Sequence, residues 1–483
     1  MNFLYTLRIL GFLLMLFSTA QLFPTAVAFY YSEFSLIKVF SYTLFITFLC
    51  GFLLYITSSN KKEDLRTKDG FIITVLFWLV LAVFGSFPFY FAKEIEISYV
   101  DSLFESISGL TTTGATVITG LDELPRSLLF YRQLLQWLGG MGIIVLAVAV
   151  LPLLGIGGMQ LYKAEIPGPL KDTKLTPRIT ETAKALWYVY LTMTALCAIA
   201  YKWFGMSTYD AICHAFSTIS IGGFSTHDEN FGFFTQSAIR WTAVIFMIIS
   251  GINFALHYIA WNKRRLFHYF YDSEVKAYLF ILGCTFGLTF LTLSVYMKGA
   301  EIKLLEESAF QVVSIATTTG FLTSNYSNWP LFVPILLLTA AFIGACAGST
   351  GGGIKVIRTL ILAKQSAGEL IKLIHPNAVI SIKLGKKAVS SRVTESVWGF
   401  FSIYVIVFFI LFMCLLAQGN DFITSFSAVG ATLNNLGPGL GEVSNNYQLL
   451  SDYSKISLCA AMLLGRLEIF TLLVLFTPAF WRN

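Results

Sequence analysis

The tetrapeptide TTTG occurs twice in this sequence, at Thr111–Gly114 and again at Thr317–Gly320. Each copy follows a short stretch with helical character and lies between long apolar segments. One TTTG alone is a polar loop in most proteins. Two copies in the same setting indicate an internal repeat, and such a repeat is a stronger fold signal than any local motif.

The repeat has four copies, and each begins with an acidic residue that can cap a helix. They begin DSLFESISGL at Asp101, DAICHAFSTI at Asp210, ESAFQVVSIA at Glu307 and DFITSFSAVG at Asp421. Thirteen residues after these acids stand Gly114, Gly223, Gly320 and Asn434. The helical stretch of each copy would be about 15–18 Å long, roughly half a bilayer. The predicted unit is therefore a span, a half-helix, a polar strand and a second span.

Composition identifies the class of protein. Hydrophobic residues make up 56% of the chain and charged residues only 12%, whereas soluble domains carry about twice that charge. Many apolar runs approach the length of about 20 residues that crosses a bilayer. The predicted fold is an all-α polytopic membrane protein. The seven cysteines and five histidines have no disulfide or metal-ligand spacing, so we expect no cofactor in this chain.

Ten candidate spans accompany the repeat, at 8–30, 38–57, 70–92, 130–155, 185–204, 236–259, 277–297, 330–350, 396–417 and 456–480. The first two lie outside it, in residues 1–60, which we assign to two N-terminal transmembrane helices. The predicted pore repeats cover 70–160, 185–262, 277–355 and 396–483, with a basic cytoplasmic loop at 354–395.

Loop charge predicts the orientation. One set of loops holds 21 Lys or Arg against 10 Asp or Glu, in 58–69, 160–184, 262–276 and 354–395. The opposite set holds 4 basic and 16 acidic residues. Because cytoplasmic loops are enriched in Lys and Arg, both termini are predicted to be cytoplasmic. The net charge of +6 is thus a topology signal, and no nucleic acid partner is expected.

Four extended Thr/Ser/Gly strands at membrane depth indicate an ion path. Non-helical backbone is tolerated in a bilayer only where it faces protein or water. Four such strands around an axis would line a hole with carbonyl oxygens that replace the hydration shell of a cation. Half-helices that enter from outside would direct their partially negative C-terminal ends toward that cation.

Several longer sequence motifs lie partly or wholly outside the repeat. They are FESISGLTTTGAT, FYRQLLQWLGGMGIIVLAVAVLP, GGMQLYKAEIPGP, IGGFSTHD, AGSTGGGIKVIR, ATLNNLGPGLGEV and GRLEIFTLLVLFTP. In these motifs the chain resembles the membrane subunits of Trk-type potassium uptake systems, which form the TrkH family of the Trk/Ktr/HKT superfamily. The resemblance implies K⁺ uptake across the bacterial inner membrane through four membrane–pore–membrane repeats. It also implies a homodimer and a cytosolic, nucleotide-binding regulatory subunit of the RCK type.

By this resemblance, the K⁺-binding filter comprises one short segment in each repeat. The residues are Thr111, Thr112, Thr113 and Gly114; Ser220, Ile221, Gly222 and Gly223; Thr317, Thr318, Thr319 and Gly320; and Leu433, Asn434 and Asn435. The fourth segment departs from the superfamily pattern, because the count places Asn434 where a glycine belongs. A less symmetric filter and moderate discrimination of K⁺ from Na⁺ are therefore expected.

Two further features are candidates for a gate. GACAGSTGGGIK at 344–355 contains Gly348, Gly351, Gly352 and Gly353. It fails the P-loop pattern because Ile354 replaces the lysine; small-residue helix packing and a flexible loop below the filter remain, and the resemblance favours the loop. Arg466 lies within the last span, where a charge is expensive, either as a barrier facing the pore or as a structural ion pair. Glu468 is a poor partner, since residues two apart on a helix diverge.

Some alternatives remain open. The chain could be an H⁺- or Na⁺-coupled K⁺ symporter that works by alternating access. A membrane enzyme would place His, Asp or Ser groups together at membrane depth, and the sequence contains no such set, so an enzyme is not expected. The basic loop 354–395 is compatible with a flank near anionic lipid or with docking of the regulatory subunit or a second protomer.

Overall fold

The structure is a computed structural model that describes residues 3–57, 67–142, 179–264, 267–296, 301–385 and 387–482. Part of the predicted span 130–155, the word GGMQLYKAEIPGP and most of the loop 160–184 lie outside the described residues. The described chain is almost entirely helical, because long apolar runs satisfy their own backbone hydrogen bonds only as helices in lipid.

The helices follow the order that the repeat predicts. The N-terminal part contains α1 Phe3–Ala20, α2 Leu22–Tyr30 and α3 Phe34–Thr57. The first repeat contains α4 Thr67–Phe91, α5 Tyr99–Leu110 and α6 Arg126–Met141. The second contains α7 Ile179–Trp203, α8 Thr208–Ser220, α9 Ser237–Ser250, α10 Phe254–Asn262 and the short α11 His268–Tyr271.

The third repeat contains α12 Ser273–Tyr296, α13 Glu301–Ala316 and α14 Phe332–Ile343, followed by α15 Val356–Ile374. Two short antiparallel strands, β1 Lys383–Leu384 and β2 Lys387–Ala388, come next, with Lys383 opposite Ala388. The fourth repeat contains α16 Ser391–Ala417, α17 Phe422–Leu433, α18 Asp452–Arg466, α19 Phe470–Leu473 and α20 Pro478–Trp481.

Several of these helices can cross a membrane. In the described ranges, six segments have the length and apolarity for it: Leu4–Tyr30, Phe34–Thr57, Lys68–Phe91, Lys184–Trp203, Ser273–Tyr296 and Ser391–Ala417. Two more pass as bent pairs, α9 with α10 at 92° and α18 with the helical residues that follow it at 104°. The prediction of an all-α polytopic membrane protein is confirmed.

The second span is interrupted in the second, third and fourth repeats. Its first helix ends there after 14, 12 and 15 residues, at Ser250, Ile343 and Arg466. The candidate spans 236–259, 330–350 and 456–480 each contain one of these breaks, and the break in the third repeat lies at the glycine-rich segment that begins at Gly344. Hydropathy did not reveal the breaks in the second and fourth repeats, because the residues on both sides of them are apolar.

The starts of the half-helices differ among the repeats. In α5 and α8 the caps are serines: Ser98 Oγ accepts from Asp101 N at 3.1 Å, and Ser207 Oγ from Asp210 N at 3.0 Å. In α17 the acid itself is the cap, since Asp421 Oδ2 accepts from Thr424 N at 3.1 Å. The acid thus occupies a position three residues earlier in the fourth repeat, and this shift alters the count that follows.

Candidate functional site

Each half-helix is followed by a short segment with the same unusual backbone. Its second residue has positive φ in every repeat: Thr112 at 55°, Ile221 at 56°, Thr318 at 69° and Asn435 at 54°. Such values are rare for residues other than glycine, and for β-branched residues they are outliers. Strain that recurs at equivalent positions is typical of a functional site. We name these four-residue segments walls 1 to 4: Thr111–Gly114, Ser220–Gly223, Thr317–Gly320 and Asn434–Gly437.

The last glycines of the walls form a closed ring. A β-carbon added to each would collide with the next wall: from Gly114 to Gly222 O at 2.1 Å, from Gly223 to Thr319 O at 2.1 Å, from Gly320 to Pro438 Cδ at 2.8 Å, and from Gly437 to Gly114 C at 2.6 Å. The approach is so close that only glycine fits at these positions. The ring brings together segments that are far apart in sequence.

The structure corrects the register of the fourth wall. Gly437, and not Asn434, contacts Gly114 in the ring, while Leu433 is the last residue of α17. The count of thirteen from Asp421 is three residues short, because Asp421 caps its helix. The side chain of Asn434 accepts from Tyr404 OH at 2.9 Å. A glycine is thus present in all four walls, which removes the reason to expect a less symmetric filter.

Polar side chains on the half-helices hold the chain outside the ring. Equivalent residues six positions before walls 1 to 3 do this: Glu105 Oε2 accepts from Val117 N at 3.1 Å, His214 Nε2 lies 3.0 Å from Ser225 Oγ, and Gln311 Nε2 donates to Ser324 O at 2.8 Å. In the fourth repeat, Ser427 Oγ accepts from Leu440 N at 2.8 Å. The sequence analysis missed these residues, although a polar residue at one shared offset was the available signal.

A buried ion pair within the first repeat is hydrogen-bonded to the second repeat behind the ring. Arg132 Nε lies 2.7 Å from Glu105 Oε1, and the side chains are 1% and 0% exposed. Arg132 also donates to Ser225 O at 3.1 Å. The neighbouring Gln136 donates to Gly222 O at 2.6 Å. Charge-assisted hydrogen bonds of this kind are strong and directional, so they fix walls 1 and 2 relative to each other.

A cavity of about 220 Å³ lies on the side of the ring that the chain enters after each wall. We call this side of the ring the outer side and the opposite one the inner side. The four ring glycines and several polar residues line the cavity, among them Thr116, His227, Asp228, Asn445 and Asn446. We call this cavity the vestibule.

His227 connects two outer segments at the vestibule. Its Nδ1 lies 2.5 Å from Asp122 Oδ1 and its Nε2 lies 3.5 Å from Asp210 Oδ1. The imidazole stacks on Phe233 with ring centroids 3.6 Å apart. Burial lowers the pKa of His227, but the hydrogen bonds to Asp210 and Asp122 outweigh this and raise it above its ordinary value. The histidine therefore retains its proton more readily than a free imidazole.

The glycine-rich segment Gly344–Lys355 is a loop on the opposite side of the ring. Its tip is bound to three walls or their helices: Thr350 Oγ1 donates to Ile219 O at 3.0 Å, Gly352 N to Thr318 Oγ1 at 2.7 Å, and Gly353 N to Asn434 O at 3.1 Å. The segment is not helical, so plain helix packing does not explain its glycines. We call it the glycine loop.

The predicted glycines of this loop are required by its geometry. A β-carbon on Gly351 would lie 2.8 Å from Thr317 O, and one on Gly352 would lie 1.9 Å from Asn434 O. Gly348 and Gly353 have φ of 73° and 78°, which favours glycine. The loop thus lies directly against the ends of the half-helices.

Arg466 lies between the glycine loop and the first repeat. Its guanidinium donates to Thr112 Oγ1 at 3.4 Å, to Thr350 O at 3.3 Å and to Gly140 O at 3.0 Å. It also donates to Gly139 O. Glu468 instead pairs with Arg358, in agreement with the expectation that it does not pair with Arg466. A positive charge therefore stands next to wall 1 on the side of the loop.

Comparison with known proteins identifies the family. The family model for TrkH, described as a cation transport protein, matches residues 36–483. The chain belongs to the TrkH family. It is 53% identical over 486 residues to the Trk system potassium uptake protein TrkH of Vibrio parahaemolyticus, covering 100% of both chains. It is 50% identical over 488 residues to the protein of that name in Escherichia coli K12, again covering 100% of both.

A solved structure agrees with the fold. The crystal structure of the potassium transporter TrkH from Vibrio parahaemolyticus superposes with a TM-score of 0.91 at 50% sequence identity, covering 100% of both chains. For the TrkH-family chain described here, walls 1 to 3 contain the twelve residues that the resemblance assigned to them. The glycine loop and Arg466 lie beside those walls, and Leu433 alone among the assigned residues lies outside them.

Proposed function

We propose that this chain takes up K⁺ across the bacterial inner membrane, through a filter that the four walls form around one axis. The observation that carries the proposal is the closed ring of Gly114, Gly223, Gly320 and Gly437. Side chains are excluded there, so backbone carbonyl oxygens remain to replace the water around a cation. The names of the relatives support K⁺ as the transported ion.

The half-helices supply the electrostatics of the filter. Each of α5, α8, α13 and α17 ends where its wall begins. The C-terminal end of a helix carries about half a negative charge, and four such ends around one axis favour a cation. The acidic outer loops raise the local concentration of cations at the vestibule. Both termini are then cytoplasmic, as the loop charges predict.

The glycine loop and Arg466 act together as the gate. The loop occupies the cytoplasmic side of the ring, and the guanidinium of Arg466 repels a cation that leaves wall 1. Movement of both groups opens the path. We propose that a cytosolic nucleotide-binding subunit of the RCK type drives this movement in a homodimer of the chain; the phrase "Trk system" in the relatives' names supports a multi-component assembly.

The experiment that tests the filter is uptake of Rb⁺ and Na⁺ into liposomes that contain the purified protein. Gly114→Ser should reduce the ratio of Rb⁺ to Na⁺ uptake about tenfold or more, because its side chain has no space. The matched control is Gly287→Ser, since a β-carbon there has no neighbour within 4 Å. Equal ratios for the two variants would contradict the filter.

The same liposomes separate a channel from a coupled symporter. A channel gives a K⁺ current that reverses at the K⁺ equilibrium potential, whatever the gradient of H⁺ or Na⁺. A reversal potential that moves with either of those gradients, at a fixed stoichiometry, would identify coupled transport.

A further inference from the structure

The glycine loop is closed at its base by its own backbone. Ile354 N donates to Phe342 O at 2.9 Å, Lys355 N to Ile343 O at 3.0 Å, and Val356 N to Ala345 O at 3.1 Å. We call residues 344–347 the outgoing stem, 354–356 the returning stem and the residues between them the tip. The two stems therefore lie side by side, and the tip projects beyond them. Backbone bonds of this kind form in any short hairpin, so they do not by themselves explain why the loop stays against the walls.

One carboxylate connects the two stems to a membrane helix. Glu274 lies in the first turn of α12 and is 7% exposed. Its Oε1 accepts from Ala347 N at 2.7 Å on the outgoing stem and from Ile357 N at 3.2 Å just after the returning stem. A single oxygen atom thus bridges two points on either side of the loop tip.

The position of Glu274 is itself fixed. Asp272 Oδ1 accepts from Glu274 N at 2.8 Å and from Val275 N at 3.1 Å, so the start of α12 is capped. Ile357 belongs to the first turn of α15, where backbone N–H groups lack partners within the helix. The side-chain oxygen of Glu274 supplies an acceptor for this donor. Burial of a carboxylate is unfavourable unless it is hydrogen-bonded. The two backbone N–H groups therefore stabilise Glu274 in its buried position.

We propose that Glu274 is the positioning residue that holds the glycine loop closed beneath the ring. The two N–H groups can leave Oε1 only if the stems move relative to α12, and the tip moves with them. Breaking both bonds therefore releases Thr350, Gly352 and Gly353 from the walls. The effect on ion flow rests on the proposed function of the loop, whereas the effect on loop position does not.

Three substitutions at Glu274 distinguish reach from charge. Glu274→Ala removes the acceptor, and Glu274→Asp keeps the charge but shortens the side chain by one methylene. Glu274→Gln keeps both the length and an acceptor oxygen. In liposomes without any partner protein, the variants Glu274→Ala and Glu274→Asp should take up Rb⁺ about tenfold faster than the parent protein. This is the effect expected for the loss of two ordinary hydrogen bonds. Gln should stay within about twofold of the parent protein, as should the exposed control Glu369→Ala.

Reaction of Cys346 with a soluble maleimide measures loop position without ion flux. Cys346 is a free, fully buried thiol on the outgoing stem, and the other six cysteines are replaced by alanine. Faster labelling of the Ala and Asp variants, with Gln like the parent, supports the proposal. Unchanged labelling of Ala and Asp overturns it, as does a pattern in which Asp resembles the parent and Gln resembles Ala. If no variant transports Rb⁺, the proposed function fails while the labelling still decides the role of Glu274.

Discussion

On the outer side of the glycine ring, side chains of the half-helices hold the chain that follows each wall, whereas on the inner side a loop lies against the walls and is bound by a few hydrogen bonds at its tip. The outer bonds include the buried pair of Arg132 and Glu105. The inner loop is bound to the walls by three hydrogen bonds at its tip, from Thr350, Gly352 and Gly353. Side-chain networks resist displacement more than a few hydrogen bonds do, which agrees with the proposal of a fixed filter at the ring and a movable gate at the loop.

The two sides of the ring also differ in charge. Carboxylates of Asp122, Asp210 and Asp228 lie at or near the vestibule. On the inner side the cations Arg466 and Lys355 lie at the glycine loop, and Lys355 Nζ donates to Gly351 O. These charges agree with the proposed function, in which a cation is attracted at the vestibule and opposed at the glycine loop. The predictions that follow test each side, from the largest effect to the smallest.

Gly437→Ser should abolish selective uptake, with a loss of about a hundredfold or more, because its β-carbon would overlap wall 1. Asn434→Ser should lose far less, since the Asn434 side chain contacts Tyr404 and not the ring. The measurement is the initial rate of Rb⁺ uptake against Na⁺. A greater loss from Asn434→Ser would restore the register counted from Asp421.

Arg132→Ala should destabilise the outer side by about 3–5 kcal/mol, because it leaves the Glu105 carboxylate buried without its partner. Thermal unfolding in detergent measures this change. The double variant Arg132→Met with Glu105→Leu should recover part of the loss, because two apolar side chains replace the pair while Val117 N and Ser225 O lose their partners. If Arg132→Ala leaves the thermal unfolding unchanged, the ion pair of Arg132 and Glu105 does not stabilise the walls.

Arg466→Ala should raise Rb⁺ uptake by the protein alone about tenfold, because it removes a positive charge from the ion path. Arg466→Lys keeps the charge but loses the forked hydrogen bonds, so it should give an intermediate rate. Arg240→Ala is the control, since Arg240 pairs with Glu306 in the outer part of the chain. A reduced rate for Arg466→Ala would mean that Arg466 supports the pore and does not block it.

The free energy of unfolding should depend weakly on pH through His227, which lies at the vestibule. Because its folded pKa is raised, its contribution is fully present below about pH 6.5, the ordinary histidine pKa. That contribution is lost as the pH rises through the higher folded value. The size should be about 1 kcal/mol or less, as for partly exposed pairs. Unfolding measured from pH 6 to 9 checks this: His227→Gln should remove the slope, while His375→Gln, at an exposed position, should keep it.

Local sequence was sufficient for the membrane class, the four half-helices and three of the four walls. Hydropathy and helix start signals depend on residues close together in the chain, so they can be recognised in one sequence. Glycine content and a charge within an apolar span singled out the segment 344–355 and Arg466, and the family resemblance favoured a loop over helix packing. Their roles in K⁺ binding and gating stay predictions, because the contacts of a residue do not measure ion flow.

Tertiary structure decided the rest. The ring position of Gly437, the hydrogen bond from Arg132 to Ser225 O and the bridge from Glu274 to both stems all join segments that are far apart in the chain. Such contacts leave no periodic pattern in the sequence. A three-residue change in how one helix is capped was enough to mislead a count along the chain, whereas the close approach of four backbones permits only one register.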